Sequence, residues 1–584
     1  MSGTMDTLRA AWPVIKSALA RGQLFKPQCQ LVEPDPDIQC DYDVRIPMVE
    51  GHELTANIFR SKERAAAGLQ DPVIMCAHPY DNHLTPALGK TPFKGPPHQY
   101  RLINQQEGTP QFSTLTSWES PDPNFWVPEG YTLVNLNLPG YANSGGPPSS
   151  FTPHQGDAYR QAIAWVGEQP WCTGAVGLCG VSYLAISQYF AAAAPDGETA
   201  PEALKCICPW EGLSDMYRDA VCIGGVADER FLPFWWHTEV KDSLNDLDGY
   251  IAMEGSTAED FLTDHPLIDE HWAAKAAALH NIRVPMLVCA SFSDHELHSM
   301  GSARAYEEAS SEQKWMYTHR TGKWVSFYSG EAKSLMKDFM DRFLKGAANR
   351  FDTLPPIRLE VRRSRNEIHE VRWEQDWPLP QTSYRTLYLC KRGLSESEQP
   401  KARELVYDAR KGQLTFDHTF AEDTEVSGYI RLDAFVEVRP RMKGDPQPED
   451  MVLCAFIDKL DKKGRPVRFN GAVGNENDVV TRGYLRVSRR ALDPERSRPW
   501  RPEYLGTSEE PLSAGEVVPV TIAFRPSSTF FAKGDGLRLI ISPRDTFHAV
   551  AFGKDTRLNR GQHVLHAGRA FPSRLTIPVI PRQS

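Results

Sequence analysis

The stretch Val176-Gly177-Leu178-Cys179-Gly180-Val181-Ser182-Tyr183-Leu184-Ala185 decides the fold. An apolar strand runs into a serine set two residues after a glycine, and Ile186 to Ala194 then reads as a helix. This is the outline of a nucleophile elbow, the strained strand-to-helix turn that lifts a serine hydroxyl above an α/β-hydrolase sheet. Gly180 fits because so tight a turn brings backbone segments too close for most side chains. The helix that follows points its positive end at the serine, where an oxyanion would develop. A second glycine is usual two residues after the serine, and Leu184 stands there instead.

On either side of the elbow the chain alternates strands with helices. Asp43 to Ile58 reads as an N-terminal hairpin around Glu50-Gly51. Continuous apolar runs of the buried-strand kind follow at Pro72 to Ala77, Tyr131 to Leu136, Val176 to Leu178, Lys205 to Cys208 and Pro285 to Ala290. Helices are expected at Asp157 to Glu168, Ile186 to Ala194 and Gly301 to Ala309. Such alternation predicts a mostly parallel sheet covered on both faces.

Residues 211–280 interrupt the alternation and predict a helical cap over the site, with a helix at Asp269 to Leu279. Within them Phe231, Phe234, Trp235 and Trp236 are candidates for an apolar substrate wall. Adjacent tryptophans on a strand or helix cannot both face one pocket, so at most one should meet substrate. From Pro355 onward short alternating runs dominate (Ile357 to Val361, Ser383 to Leu389, Val426 to Val438, Met451 to Asp458, Val518 to Phe524, Leu537 to Ile541) and predict an all-β sandwich or jelly roll. The domain boundaries that follow are 1–40 for an N-terminal extension, 41–210 and 281–350 for the α/β-hydrolase domain, 211–280 for the cap and 355–584 for the β-sandwich.

Composition narrows the function classes. A chain of 584 residues is too long for a single core, so about two to four domains are expected. With 65 basic against 75 acidic residues the net charge is −10, which argues against nucleic acid or an anionic membrane as partner. No apolar run approaches a membrane span, and residues 1–30 lack a signal-peptide core. Met1 to Arg21 instead reads as a short amphipathic helix with Leu8, Trp12, Ile15 and Leu19 on one side. The 11 scattered cysteines, without a Cys-x-x-Cys pair, fit a reduced, cytoplasmic compartment.

A serine nucleophile needs a base, and the base needs an orienting carboxylate. In α/β-hydrolases these follow the serine in the order acid, then histidine. Directly after the fifth apolar strand comes Ser291-Phe292-Ser293-Asp294-His295-Glu296-Leu297-His298, which makes Asp294 the candidate acid. A sixth strand, Lys314 to Tyr317, leads to Thr318-His319-Arg320-Thr321-Gly322-Lys323-Trp324, which makes His319 the candidate base. The spacing of His295 and His298 is three, where a zinc helix needs four; His78 and His83 flank Tyr80 and could bind a metal with it, but loop or pocket histidines are far commoner. No dinucleotide or Walker fingerprint occurs, so neither metal nor organic cofactor is expected.

With these residues in view, the chain resembles the cocaine esterase and X-prolyl dipeptidyl-peptidase-like hydrolases, from about residue 41 to its end. The resemblance is carried by Val44 to Met48, Pro79-Tyr80-Asp81, Gly130-Tyr131, Asn143 to Gly146, Gly180 to Leu184, Gly212 to Asp219 and Leu297 to Ser302. Ala185 departs from it, because that family places glycine three residues after the serine. The resemblance implies an α/β-hydrolase domain, a helical cap and a C-terminal jelly roll. It also implies that Tyr80 donates its phenol to the oxyanion beside the backbone N–H of Tyr183. Tyr80 follows the first buried strand, where the fold's second oxyanion donor normally arises.

The expected activity is hydrolysis of an ester or amide of a small acyl group by Ser182, His319 and Asp294. A peptidase would use cap carboxylates such as Glu211, Asp215, Asp219, Asp228, Glu229 or Glu239 to hold an amine. An acyltransferase would use the same residues, and a non-catalytic binding role ranks last. The expected partner is a small molecule, and a homo-oligomer is left open.

Overall fold

The computed structural model describes residues 29–88, 109–391 and 393–581, with Met5, Trp12, Ile15, Lys16 and Leu19. The helix expected at Met1 to Arg21 lies outside the described residues except at those isolated positions. The chain divides into two compact units. The first comprises Met1–Met216, Leu232–Pro266 and Glu270–Pro356, and the second Tyr217–Phe231, Leu267–Asp269 and Ile357–Ser584.

The first unit is built on β1 (Ile38–Pro47), β2 (Glu53–Ser61), β3 (Asp71–His78), β4 (Thr132–Asn137), β5 (Cys172–Val181), β6 (Leu204–Trp210), β7 (Met286–Ser291) and β8 (Lys314–His319). These strands lie side by side in the order β1-β2-β4-β3-β5-β6-β7-β8. β2 runs against both its neighbours, and every other pair is parallel. Strands β3, β4 and β7 are buried at every residue, as expected of a sheet covered on both faces. The covering helices are α1 (Pro153–Gly167), α2 (Tyr183–Ala192), α3 (Ser299–Glu308) and α4 (Gly330–Leu344). Thr152 caps α1 and Ser329 caps α4, each through its side-chain oxygen. Ser182, Asp294 and His319 thus fall at the carboxyl ends of β5, β7 and β8, the side on which ligands bind in such sheets.

The insertion after β6 does not form one piece. Its residues 217–231 and 267–269 cluster with the second unit, and 232–266 with the first. The helix expected at Asp269 to Leu279 is cut to Glu270–Ala274. The chain beyond it is drawn onto the segment after β6, where the Met216 N–H donates to the Lys275 carbonyl and the Ala277 N–H to that of Ser214.

The second unit is built mainly on antiparallel β-strands, most of them in two sheets. Leu414–Thr419, Gly536–Ser542, Val452–Leu460 and Thr481–Arg486 form one. The other includes Ser383–Cys390, Arg574–Ile580, Arg431–Arg439, Val518–Ala523, Gln562–Ala567 and Arg403–Asp408. Leu453, Ile457 and Leu539 from the first sheet meet Leu432, Val436 and Ile577 from the second in a common core. The run expected at Val426 to Val438 breaks at Gly428, whose φ is 133, so that Thr424–Gly428 and Arg431–Arg439 are separate strands, the first beside Ser527–Phe531, the second beside Val518–Ala523, and both touching Arg574–Ile580. Among the described residues no helix is long and apolar enough to cross a membrane.

Candidate active site

Ser182 sits between β5 and α2 with φ 60 and ψ −116, a backbone conformation rare for any residue with a side chain. It occupies the N-cap of α2, yet its hydroxyl makes no capping bond. The turn requires Gly180, where a Cβ would lie 2.5 Å from that of Leu184. Opposite, Gly212 lets the chain after β6 come close to α2, since a Cβ there would stand 3.0 Å from that of Ala185. The methyl group at position 185, where the resembling family has glycine, is thereby accommodated.

The serine hydroxyl is freed for a different partner. Ser182 Oγ lies 3.2 Å from His298 Nε2, and His298 Nδ1 lies 2.5 Å from Asp294 Oδ2. Acid and histidine share one tight turn after β7, in which the N–H groups of Leu297, His298 and Ser299 all donate to the Asp294 carbonyl. His298 is the residue before α3, and its own carbonyl accepts from the Ser302 N–H inside that helix. Asp294 and His298 are buried, and Ser182 is partly exposed.

The histidine expected from chain order stands elsewhere. His319 ends β8 as expected, but its Nε2 lies 2.8 Å from Glu211 Oε1 and its Nδ1 3.3 Å from Thr321 Oγ1. Its ring stacks on Trp210. Glu211, the residue after β6, also accepts from Ser291 Oγ at 2.5 Å. Both ring nitrogens of His319 are therefore engaged away from Ser182. The pair read from sequence as a near-miss for zinc contains the histidine that reaches the serine.

Electrostatics separate the two members of the inner pair. Burial opposes ionisation of Asp294, but His298 and Lys323 outweigh it and hold the carboxyl below its ordinary range. Lys323 Nζ stands 3.8 Å from Asp294 Oδ2. His298 is held below the ordinary imidazole value by burial first and by Lys323 second, against the opposing pull of Asp294 and Glu211. Both shifts favour an ionised carboxylate beside a neutral imidazole.

Tyr80, just beyond β3, is buried, and burial together with the charges of Glu119 and Glu239 pushes its phenol well above the ordinary value. It is thus an O–H donor at neutral pH. Glu119 is itself pushed up to about 7, by burial first. Its Oε1 accepts from Trp324 Nε1 at 2.9 Å, and its carbonyl accepts from the Val181 N–H beside the elbow.

Of the aromatic residues expected to line the site, one is brought there. Trp235 Nε1 donates to the Tyr80 hydroxyl at 3.4 Å, and the Trp235 ring stacks 6.0 Å from that of Tyr183. Trp236 turns away and packs on Tyr250. Phe231 stacks on Phe552 in the second unit, and Phe234 is half-buried with its carbonyl accepting from Thr238. The acidic candidates for an amine site are partly spoken for, since Glu211 holds His319, Asp228 pairs with Lys554 and Glu229 with Arg557.

Among the described residues two clusters have metal-ligand chemistry, one of them Glu404, Glu437 and His566 in the second unit. Donor atoms of Glu211, Cys289 and His319 lie within 4.8 Å of one another, all buried. An ion there would have to displace the hydrogen bond between Glu211 and His319. His78 accepts the Tyr80 N–H at Nδ1, and His83 pairs with Asp43.

Comparison with known proteins makes the chain a serine hydrolase of the α/β-hydrolase class, acting on esters or peptides. The profile of the X-Pro dipeptidyl-peptidase (S15 family) matches residues 50–325, and that of the X-Pro dipeptidyl-peptidase C-terminal non-catalytic domain matches 349–576. A CocE/NonD family hydrolase from Staphylococcus aureus is 30% identical, with 96% of this chain and 100% of that chain covered at a TM-score of 0.82. The cocaine esterase of Rhodococcus sp. (strain MB1 Bresler) is 23% identical over 92% of this chain and 98% of its own. An aminopeptidase from a marine sediment Thaumarchaeota archaeon shares the fold at 15% identity and a TM-score of 0.68, covering 94% of this chain and 98% of its own. The chain belongs to the CocE/NonD, X-Pro dipeptidyl-peptidase-like family of hydrolases.

Proposed function

We propose that the protein hydrolyses an ester or amide of a small acyl group through an acyl-enzyme, with Ser182 as nucleophile, His298 as base and Asp294 as the orienting acid. The observation that carries this reading is the line Ser182 Oγ–His298 Nε2–His298 Nδ1–Asp294 Oδ2, at 3.2 and 2.5 Å. Ser182 Oγ attacks the acyl carbonyl as His298 Nε2 takes its proton. The resulting imidazolium gives that proton to the departing alcohol or amine. Water then repeats the cycle, losing a proton to His298 and releasing the acid with Ser182 restored. Asp294 holds Nδ1 protonated and balances the imidazolium charge. The Tyr80 hydroxyl and the N–H of Tyr183 serve as donors to the tetrahedral oxyanion, a role favoured by the high phenol pKa and by the N-terminus of α2.

A fluorophosphonate should add to Ser182 in the native protein, and Ser182→Ala should abolish both labelling and turnover of acyl esters and aminoacyl amides. Turnover by the alanine variant at the native rate would overturn the assignment.

A further inference from the structure

Phe151 lies just before α1 with φ 57, a left-handed conformation that a bulky side chain seldom takes up. Strain of this kind persists only where the surroundings over-determine it. Here they do. The Phe151 N–H faces Gln155 Oε1 at 3.2 Å and the Tyr183 hydroxyl at 3.1 Å. The Ser150 N–H donates to Glu254 Oε1 at 2.6 Å, and the Ser150 carbonyl accepts from Lys275 Nζ at 2.8 Å. Lys275 Nζ closes the loop on Glu254 Oε2 at 2.6 Å. Tyr250 donates to Ser150 Oγ at 3.0 Å, and Tyr141 to the Ser149 carbonyl at 3.0 Å.

Lys275 and Glu254 are both buried and both belong to the insertion after β6. A buried ion pair of this sort seldom stabilises a fold more than apolar side chains of the same volume would. What it does here is hold the two peptide groups that flank the Ser150 Cα, and so aim Phe151. The ring it aims packs 4.6 Å from Tyr183, the residue after the nucleophile, and 5.2 Å from Trp235. Trp235 in turn reaches Tyr80, whose ring meets Tyr183 edge-on at 6.0 Å. Phe151, Tyr183, Trp235 and Tyr80 therefore form one aromatic cluster beside the residue that follows Ser182.

We propose that Phe151 is a specificity-determining residue, the wall that receives an apolar acyl group, and that Lys275 and Glu254 are positioning residues that fix its direction. This rests on the hydrolase reading above. The test compares kcat/KM for acetyl, butyryl, hexanoyl and benzoyl nitrophenyl esters, with fluorophosphonate labelling of the native protein as its control. Phe151→Ala should change the ratio of the largest to the smallest acyl group by about tenfold or more, and Phe151→Leu by less, since apolar pocket contacts discriminate on that scale.

The double variant Lys275→Met with Glu254→Gln removes both charges, leaves no lone buried ion and should move the same ratio in the same direction. A ratio unchanged in both Phe151 variants overturns the specificity role. A double variant that lowers the melting temperature and leaves the ratio unmoved overturns the positioning role. Failure of the native protein to label at Ser182 would instead strike the hydrolase reading, on which this inference depends.

Discussion

Two histidine–carboxylate pairs stand at neighbouring strand ends of the same sheet. His298 and Asp294 follow β7, and His319 and Glu211 join the ends of β8 and β6. All four side chains are buried, and each pair is held by a short hydrogen bond. They differ in what the second ring nitrogen meets. For His298 it is the serine of a strained elbow, whereas for His319 it is the hydroxyl of Thr321, two residues on in the same loop. Identical chemistry thus yields a pair that meets the elbow serine in one place and a brace between strands in the other. Chain order identifies both as eligible, and only the turn geometry separates them.

The comparison breaks most sharply under substitution of the histidines. His298→Ala should lower kcat by roughly 10³ to 10⁴, because serine, base and acid act as a unit. His319→Ala should cost kcat about tenfold at most while destabilising the fold by roughly 3 kcal/mol, because it strands a buried carboxylate. His319→Gln, which keeps an N–H for Glu211, should recover part of that stability. Melting curves and turnover measured on the same samples decide it, and the reverse ranking would restore His319 as the base. A smaller effect is expected at the oxyanion side. Tyr80→Phe removes a donor and keeps the ring, so kcat should fall by roughly 10² to 10³ with KM little changed. A lowered melting temperature at native kcat would make Tyr80 structural.

Much of this could be read in the sequence, and the gaps have physical causes. The elbow was legible because Gly180 and Ser182 sit between a continuous apolar run and a helix, and the parallel strands because burial on both faces leaves no polar alternation. The sandwich strands were legible only where one face is apolar. Ile368–Glu374 escaped notice because it is largely exposed and carries charges, with Arg372 bridging Glu370, Glu374 and Glu425. The histidine that meets Ser182 escaped because a histidine four residues after a carboxylate can reach back to it only if the turn closes on that residue's carbonyl. Glu211 could have signalled that His319 had another partner, since it too leaves a strand end. Nothing in composition marks residues 217–231 as belonging with the C-terminal unit.

The smallest effect is the one that separates the pairs by charge. Lys323 faces Asp294 at 3.8 Å from the loop after β8 and depresses the pKa of His298 across it. Catalysis needs neutral His298, so the acid limb of kcat/KM should lie below the ordinary imidazole value and activity should be lost only as pH falls through that lowered pKa. Lys323→Met removes the cation. Burial still disfavours the imidazolium, but Asp294 and Glu211 then pull on it with less opposition, so the His298 pKa rises and the acid limb moves to higher pH. Asp294 loses a partner that helped keep it ionised, yet retains His298. Because the groups are buried, added salt should alter the displacement little. A limb that stays fixed, or moves to lower pH, would mean that Lys323 does not act on His298 and that the base assigned to Ser182 titrates in other surroundings.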